Sequence, residues 1–499
     1  MIVAPDRPTR CDRWHDALLV ALIVLRPLVW SGDRTAWDHI AWMLLVIVAL
    51  SVLVVEGLTG RRPWLRWGPG GVIAGVLVAG LLPATVFAPE PATARGTWNA
   101  LVINLGFAFW LCQVVPGRER LALAALFGGA AIEIVVALLQ PVWTLPAMAA
   151  KLAAGDPSIR ALETAKGELA ERLANGGMFG TFTLANTLAA FLLLVLPLLI
   201  WQRTVLTWVL AGGVVAFAGS KSKGAYAALV VAAGTLWLTT VRSRWRWLPL
   251  VATAALLVAI VSIPVLKQGL AASTEVRLGY WRGAMTLIAE EPLGGHGLHA
   301  FATHAARVIA PGAERSRSVH NDVLEAAVDG GIPAALLLSA LLVSLVLGAR
   351  GRAEPSTATA PLHATLPLLG ILPFFAALFT LHSNISWWPL GNDDATWWLW
   401  PVLLAGLGIL VIHLAMRLPW PPAWAFRLAL GAFALHCLVD FDLHSPGIWG
   451  TLTVVAVLAT HQRQGPARRA TWVGMSVFTG CLLVFTWMIV VLQSIHATQ

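Results

Sequence analysis

Residues 318–331 read SVHNDVLEAAVDGG and lead directly into an apolar run over residues 331–349. A helix needs roughly 20 apolar residues to cross a bilayer, and this run is close to that length. Asn321 or Asp322 can cap a helix that starts here, and the glycine pair marks a break before the apolar run. The stretch therefore predicts that His320 lies where a transmembrane helix meets water. Because imidazole titrates near neutral pH, this position suits acid–base chemistry.

The composition is that of a membrane protein. Hydrophobic residues make up 58% of the 499 residues and charged residues only 12%, whereas about 25% of a soluble domain is charged. Apolar stretches of bilayer length recur along the whole chain. We therefore predict an all-α, polytopic helical membrane protein with about 13–15 transmembrane helices. Residues 1–499 are expected to form a single membrane domain.

The net charge of +9 is distributed in a way that argues against nucleic-acid binding. Its arginines fall on alternate short loops, as at Arg61 and Arg62, then Arg118 and Arg120. This is the positive-inside pattern, in which basic loops stay in the cytoplasm. It places the amino terminus in the cytoplasm and four segments on the outer face: residues 144–180, 267–330, 383–394 and 440–446.

Two of the outer segments are long enough to carry structure of their own. In segment 144–180, Asp156 can cap an amphipathic helix on the membrane surface, and Gly176 and Gly177 can end it. In the large outer loop, residues 267–330, the stretch 275–290 is typical of a helix. This loop is basic enough to meet an anion, through Lys267, Arg277, Arg282, Arg307, Arg315 and Arg317.

Four blocks of sequence, read together, resemble the O-antigen ligase and polymerase family of integral-membrane glycosyltransferases. The blocks are FGTFTLANTLA (179–189), SKSKGA (220–225), RLGYW (277–281) with EPLGGHG (291–297), and His320-Asn321 followed by Gly331. A weaker echo is HCLVDFDLH (436–444). The resemblance covers about residues 175–345. The resemblance rests on the order of the blocks, on their spacing and on their common outer face.

The resemblance implies transfer of a glycan from an undecaprenyl-diphosphate carrier to an acceptor hydroxyl. The reaction would take place on the outer, periplasmic face of the bacterial inner membrane, without a nucleotide sugar, a metal or another cofactor. The implied partners are the lipid-linked donor, a lipid, glycan or protein acceptor, and membrane lipids, with no nucleic acid.

Two residues are the candidates for catalysis. Breaking a glycosyl–diphosphate bond leaves negative charge on the departing phosphates, so a preorganised cation is needed beside it. Arg277 is the first choice for this clamp, and the alternative is a solvated loop charge. His320 aligns with the histidine that the family treats as essential, and it can act as general base toward the acceptor hydroxyl. The alternative for His320 is a capping or packing role.

The chain departs from the family pattern before the first block. The family has an arginine shortly before the Gly-Thr-Phe sequence, but Met178 stands there in this chain. Arg172 is the nearest candidate, and it is spaced to pair with Glu168. Lys221 and Lys223 can supply part of the missing charge, because lysine also binds phosphate, although as a point charge. The alternative is that they only form a positively charged turn.

Further candidates for substrate binding lie in the same blocks or beside them. Asn321 could orient the imidazole ring or cap the helix. A polar cluster of Asp440, Asp442 and His444 could contact substrate or simply end a helix. Glu133, inside an apolar run, could be functional or structural. The remaining candidates are Asn186, His299 and Arg317.

A metal site is not expected. His296, His299 and His304 could join His320 around a metal, but carboxylate or thiolate ligands at defined spacing are missing.

Ligation to an acceptor and polymerisation of repeat units use the same blocks, so both stay open. A transporter or flippase of polyprenyl-linked glycans is the alternative from another class. It would be expected to show inverted repeats with broken helices, which are not evident in the sequence. A non-catalytic membrane scaffold is the third reading, and four polar blocks on one face argue against it.

Overall fold

The structure is a computed structural model that describes residues 10–28, 37–61, 64–66, 68–155, 173, 176–182, 184–201, 206–241, 264–309, 316–349, 399–460, 468–469 and 479. Within these ranges the chain is helical, apart from one pair of short antiparallel strands, β1 (Trp64–Leu65) and β2 (Arg468–Arg469). The predicted all-α class is therefore confirmed.

The helices of the described residues follow one another in this order: α1 (Arg10–Leu28), α2 (Trp37–Leu58), α3 (Pro69–Gly80), α4 (Leu82–Val86), α5 (Pro91–Val114), α6 (Glu119–Leu139), α7 (Leu145–Ala154), α8 (Ala185–Leu199), α9 (Leu206–Gly219), α10 (Lys223–Thr240), α11 (Pro264–Glu290), α12 (Ala300–Val308), α13 (Asp322–Gly348), α14 (Leu399–Ala415), α15 (Ala423–His436) and α16 (Pro446–Thr460). A π-helical turn, Gln140–Thr144, joins α6 to α7, and a 3-10 turn, Asp442–His444, precedes α16.

Several of these helices can cross a membrane. Five segments are long and apolar enough: Ile40–Leu58, Pro69–Val86, Thr93–Val114, Glu119–Ala154 and Asp322–Gly348. Shorter apolar helices of 10–17 residues add α8, α9, α15, α16 and most of α14. The polytopic architecture is therefore confirmed. The total of about 13–15 spans stays a prediction, since apolar stretches of the sequence such as residues 364–382 lie outside the described residues.

Helix α8 forms the centre of the bundle. Every residue from Thr187 to Leu199 is buried, as expected for a helix that is apolar all round and enclosed by others. It packs against α9, α10, α15 and α16. Neighbouring α6 contacts α1, α9, α14 and α16. Its approach to α14 is close, because a Cβ on Gly128 would lie 2.7 Å from Ile412. Small residues permit such close contacts between membrane helices.

The segment predicted to lie outside from residue 144 starts within a helix. α6 continues through the π-helical turn into α7, which ends at Ala154. Gly155 follows with a φ of 75°, the left-handed conformation that commonly ends helices. The π turn tolerates Pro141, a residue that a sequence pattern treats as a helix breaker. The amphipathic helix predicted from Asp156 lies outside the described residues.

Helix α13 bends at the glycine pair that the sequence marks as a break. Gly331 has a φ of 75°, and a Cβ there would lie 2.3 Å from the backbone oxygen of Leu293. Only glycine fits this conformation and this contact. The backbone N–H of Ile332 donates to the oxygen of Pro292 at 2.8 Å. The bend thus fixes the 292–295 turn against the first two turns of α13.

The large outer loop carries a small core of its own. α11 begins at Pro264, so the predicted helix starts earlier than residue 275 and the predicted loop start at 267 falls inside it. Gly269 lowers helix propensity in this stretch but does not end the helix. α11, α12 and the start of α13 pack through buried apolar side chains: Tyr280, Ala284, Leu287, Ile288, Ala300, Phe301, Ala305, Ile309, Val319, Ala327 and Val328. This core supports the turn that carries His320.

Candidate active site

The turn before α13 holds His320 in an unusual conformation. The side-chain oxygen of Asn321 accepts hydrogen bonds from the backbone N–H groups of Val323 and Leu324, each at 3.0 Å. Asn321 therefore caps the helix, the second of the two roles considered for it. His320 has a φ of 55°, which is uncommon for a residue other than glycine. Such outliers cluster at functional sites.

Aromatic side chains enclose the His320 ring on two sides. Tyr280 of α11 stacks on it, with ring centres 5.6 Å apart and planes at 19°. Phe441 meets it edge-on at 4.5 Å. The indole N–H of Trp281 donates to the His320 backbone oxygen at 3.4 Å. The imidazole is fixed in orientation and still 23% exposed.

Asp440 joins the two candidate catalytic residues. Its Oδ1 lies 3.4 Å from Nδ1 of His320, and its Oδ2 lies 3.6 Å from Nη2 of Arg277. The side chain of Asp440 is only 2% exposed, whereas that of Arg277 is 22% exposed. An imidazole, a buried carboxylate and a guanidinium therefore meet at the rim of the bundle.

The pKa of Asp440 shows how strongly its surroundings favour the ionised form. Burial alone would raise it, but the hydrogen bond to His320 and the charges of His436, His320 and Arg277 outweigh burial and hold the pKa of Asp440 below its usual value. A carboxylate that stays ionised can fix the tautomer of a histidine and stabilise its protonated form.

Hydrogen bonds from backbone and side-chain groups join the start of α13 to residues 437–445. The N–H of Asp322 donates to the oxygen of Cys437 at 2.8 Å, and the side-chain amide of Asn321 donates to the oxygen of Leu438 at 2.8 Å. In return, the N–H of Leu443 donates to the Asp322 carboxylate at 3.3 Å. His320 and Asp440 come from distant segments that these bonds hold in register.

The lysine turn, residues 220–223, lies on the other side of residues 437–445 from His320. Lys221 has a φ of 55°, and both Lys221 and Lys223 are exposed. Ser222 caps α10 by accepting from the N–H of Ala225, and its Oγ lies 3.5 Å from Nε2 of His436. The buried His436 therefore lies between the lysine turn and Asp440.

Met178 packs against this lysine turn. Its backbone N–H donates to the oxygen of Gly219 at 2.9 Å, and a Cβ on Gly219 would lie 2.5 Å from the Met178 sulfur. A Cβ on Gly176 would lie 3.9 Å from Nζ of Lys221. Lys221 is thus close to the chain position where the family pattern has an arginine.

Glu133 of α6 and Gln140 of the π-helical turn that follows it hold the Gly-Thr-Phe block in place. The Glu133 carboxylate accepts from both the backbone N–H and the hydroxyl of Thr181, at 2.8 and 2.7 Å. Gln140 accepts from the N–H of Phe179 and of Gly180 and donates to the Gly180 oxygen. The buried Glu133 therefore makes structural hydrogen bonds to this block.

The rings of His299 and His444 contact each other. Their rings meet edge-on at 5.3 Å. Nε2 of His299 lies 2.6 Å from the hydroxyl of Thr97, and Nε2 of His444 lies 3.7 Å from Oε1 of Glu325. Phe441 separates this pair from His320, since it touches both His320 and His444.

A cavity of about 140 Å³ opens beside the two histidines, between α3, α5 and α13. Most of its wall is apolar, with residues such as Leu77, Leu101 and Leu338. Its polar lining includes Thr97, Asn104, His299, Asp322, Glu325, Asp329 and His444.

The remaining predicted site residues are spread more widely. Asn186 lies half-buried in the first turn of α8, and Arg317 is exposed in the turn before His320. No hydrogen bond from either side chain to the His320 group is found among the described residues. Arg172 lies outside the described residues.

The described residues contain one convergent group of potential metal ligands, which is not the predicted histidine set. Asp322, Cys437 and Asp442 bring one ligand atom each within 4.8 Å of one another. The carboxylates are already hydrogen-bonded, that of Asp322 to the Leu443 N–H and that of Asp442 to the His436 ring. We assign this group to the hydrogen-bond network between α13 and residues 437–445.

Two residues of the site were not singled out by the sequence. His436 is fully buried and bonds to Asp442 through Nδ1 at 2.5 Å. Tyr280 was quoted only as part of a block, yet it stacks on His320. The i,i+4 spacing of His436 and Asp440 was a usable signal, because such residues meet at a helix end.

A comparison with known proteins identifies a family that part of the chain resembles. Residues 208–339 match the family model described as O-Antigen ligase. The matched range includes the lysine turn, Arg277 and His320. No curated protein matches the chain at a significant level. The resemblance seen in the sequence is thereby confirmed for residues 208–339, which are similar to the O-antigen ligase family and lie within a multi-pass membrane protein.

Proposed function

We propose that this protein transfers a glycan from an undecaprenyl-diphosphate carrier to a hydroxyl group of an acceptor, as an O-antigen ligase does. The observation that carries the proposal is that His320 and Arg277 both lie beside the carboxylate of Asp440. This arrangement brings a base and a cation together. A glycosyl transfer needs a base to accept the proton of the acceptor hydroxyl and a cation to stabilise the charge on the leaving diphosphate.

In the proposed reaction, the oxygen of the acceptor hydroxyl attacks the anomeric carbon of the donor glycan. The new C–O bond forms as the bond between that carbon and the diphosphate oxygen breaks. The hydroxyl proton passes to Nε2 of His320, whose Nδ1–H is held by Asp440. The bonding electrons leave with the diphosphate. The products are the glycosylated acceptor and undecaprenyl diphosphate, and His320 returns its proton to solvent.

The leaving diphosphate needs cations on one side of the bond that breaks. Arg277 is partly exposed and already beside Asp440. Lys221 and Lys223 are exposed on the neighbouring turn, which His436 and Ser222 connect to the same carboxylate. Charge-assisted bonds from such groups to phosphate oxygens are short and strong. This arrangement supports a donor site on the side of Arg277 and the lysine turn.

The proposed location is the outer face of the bacterial inner membrane. The positive-inside pattern of the sequence supports this topology, because the segments carrying His320 and Asp440 alternate with the basic loops. A polyprenyl donor remains in the bilayer, so a site at the end of membrane helices suits its diphosphate. Membrane lipids are then direct neighbours of the protein.

The test is transfer by purified protein in proteoliposomes. The donor is a synthetic undecaprenyl-diphosphate oligosaccharide, and the acceptor probes are a glycolipid, a second copy of the donor and a hydroxyl-bearing peptide. Transfer to the glycolipid or peptide supports ligation, and elongation of the donor supports polymerisation. Absence of transfer to all three by folded protein would contradict the proposal.

A further inference from the structure

We propose that His436 and Asp442 are positioning residues of the transfer site, which act on His320 through Asp440. The inference rests on the proposed function, because it gives these residues their role through the base of that reaction. The evidence is a chain of alternating imidazole and carboxylate groups that leads from the rim of the site into the bundle.

The four groups follow one another at distances of 2.5–4.0 Å. Nδ1 of His320 lies 3.4 Å from Oδ1 of Asp440. The other oxygen of Asp440 lies 4.0 Å from Nε2 of His436. Nδ1 of His436 bonds to Oδ2 of Asp442 at 2.5 Å. Each interior member therefore faces a group of the opposite kind on both sides.

The three inner members of this chain of groups are almost fully buried. His436, Asp440 and Asp442 are each at most 1% exposed, and polar groups so deeply buried are costly unless they are paired. Other charged and titratable groups also face the chain: Arg277 at Asp440, and Asp322 and Cys437 near Asp442. Burial raises the pKa of the Asp442 carboxyl, against the opposing effect of His436. The pair of His436 and Asp442 is therefore enclosed away from solvent.

The position of His436 explains how it can act on His320. Asp442 fixes one nitrogen of the His436 ring, and the other, Nε2, lies 3.5 Å from the Ser222 hydroxyl and 4.0 Å from Oδ2 of Asp440. Oδ2 of Asp440 lies at ion-pair distance from Arg277 and His436, and this attraction favours the carboxylate orientation that turns Oδ1 toward His320. This orientation retains the proton on Nδ1 of His320 and leaves Nε2 available to the acceptor hydroxyl. A third group that orients a catalytic base is a recurrent feature of such sites.

His436 also joins the base to the lysine turn. Its Nε2 lies 3.5 Å from the hydroxyl of Ser222, and a Cβ on Gly224 would lie 3.5 Å from the same ring. The residue is therefore the buried junction between the turn proposed to bind the donor and the carboxylate that orients the base.

The test is a double-mutant cycle with full-length protein, using the undecaprenyl-diphosphate oligosaccharide and whichever acceptor probe the wild type uses. We expect Asp442→Asn to lower kcat about tenfold, the lower range seen when the outer partner of an ordered histidine is lost. The donor KM should change less than about threefold, because the variant leaves phosphate contacts intact. In an Asp440→Asn background the same change should lower kcat less than about twofold, because the effect passes through Asp440.

His15→Gln is the matched control. His15 of α1 forms another buried pair with a carboxylate, that of Glu56 on α2, at 3.1 Å. This pair lies away from the site. Its variant should keep the wild-type kcat. His436→Gln is measured in the same cycle. Because a glutamine there can reach only one of Asp440 and Asp442, this variant should behave as Asp442→Asn does. It replaces Asp442→Asn if that protein does not fold.

The outcomes separate the two proposals. Wild-type kcat in the folded variants, or equal losses with and without Asp440→Asn, would overturn the positioning role. A lack of transfer by the wild type itself would instead contradict the proposed function.

Discussion

One carboxylate oxygen of Asp440 lies 3.4 Å from Nδ1 of His320, although 120 residues separate the two in sequence. The other oxygen faces Arg277. The same buried carboxylate can therefore hold the base in one tautomer and place the cation beside it. Because both contacts come from one rigid side chain, the distance between base and cation is set by the fold rather than by the substrate.

We expect His320→Ala to abolish transfer while the melting temperature in detergent stays close to that of the wild type. The side chain is 23% exposed, so its removal opens little cavity, and loss of a general base typically costs about 10²–10⁴-fold in rate. Transfer by the purified variant and its melting curve are measured together. Full transfer by a folded His320→Ala protein would remove this residue from the mechanism.

Arg277→Lys tests whether the guanidinium grips phosphate oxygens. Lysine keeps the charge but cannot reproduce the two-pronged geometry, and a charge-assisted contact is worth roughly 1.5–3 kcal/mol. We therefore expect kcat/KM for the lipid-linked donor to fall about ten- to a hundredfold. Arg282→Lys, a change on the same helix α11, is the control. Equal turnover by both variants and the wild type would mean that Arg277 is only a loop charge.

Transfer is expected to proceed without a divalent metal. Among the described residues, His296, His299, His304 and His320 do not converge on a common point, and Nε2 of His296 donates to the oxygen of Leu287. The measurement is activity after exhaustive chelation and dialysis. Activity that disappears and is restored by one particular metal would contradict this expectation.

The bend in α13 gives a stability prediction. Gly331→Ala would place a Cβ 2.3 Å from the backbone oxygen of Leu293 in a left-handed conformation. Such strain costs about 1–3 kcal/mol, so the melting temperature should fall clearly. Gly406→Ala is the control, because nothing lies within 4 Å of a Cβ there and alanine favours a helix. A Gly331→Ala protein as stable as the control would show that the bend is not rigid.

The sequence could predict those features that depend on local pattern. The apolar runs predicted the membrane helices, and Asn321 with the glycine pair predicted the start and the bend of α13. The helix from α6 to Ala154 was missed because a π turn absorbs Pro141 without a break. Contacts between distant segments were also out of reach. No local pattern shows that Asp440 meets His320, that Tyr280 stacks on the same ring, or that His436 adjoins the lysine turn.

The last prediction concerns the place where Met178 stands instead of an arginine. Lys221 lies near this position, since its Nζ would be 3.9 Å from a Cβ on Gly176, and the lysine turn is fixed between α9 and α10. If this turn supplies the missing charge, Lys221→Gln with Lys223→Gln should weaken donor binding more than Arg172→Gln. Loss of one charge-assisted phosphate contact should raise the donor dissociation constant about ten- to a hundredfold. Binding of the diphosphate-linked donor to the three proteins is measured in one detergent, with Lys151→Gln as the control for a general charge effect. A larger loss in Arg172→Gln would mean that the segment around residue 172 covers the site and that the lysine turn is not the clamp.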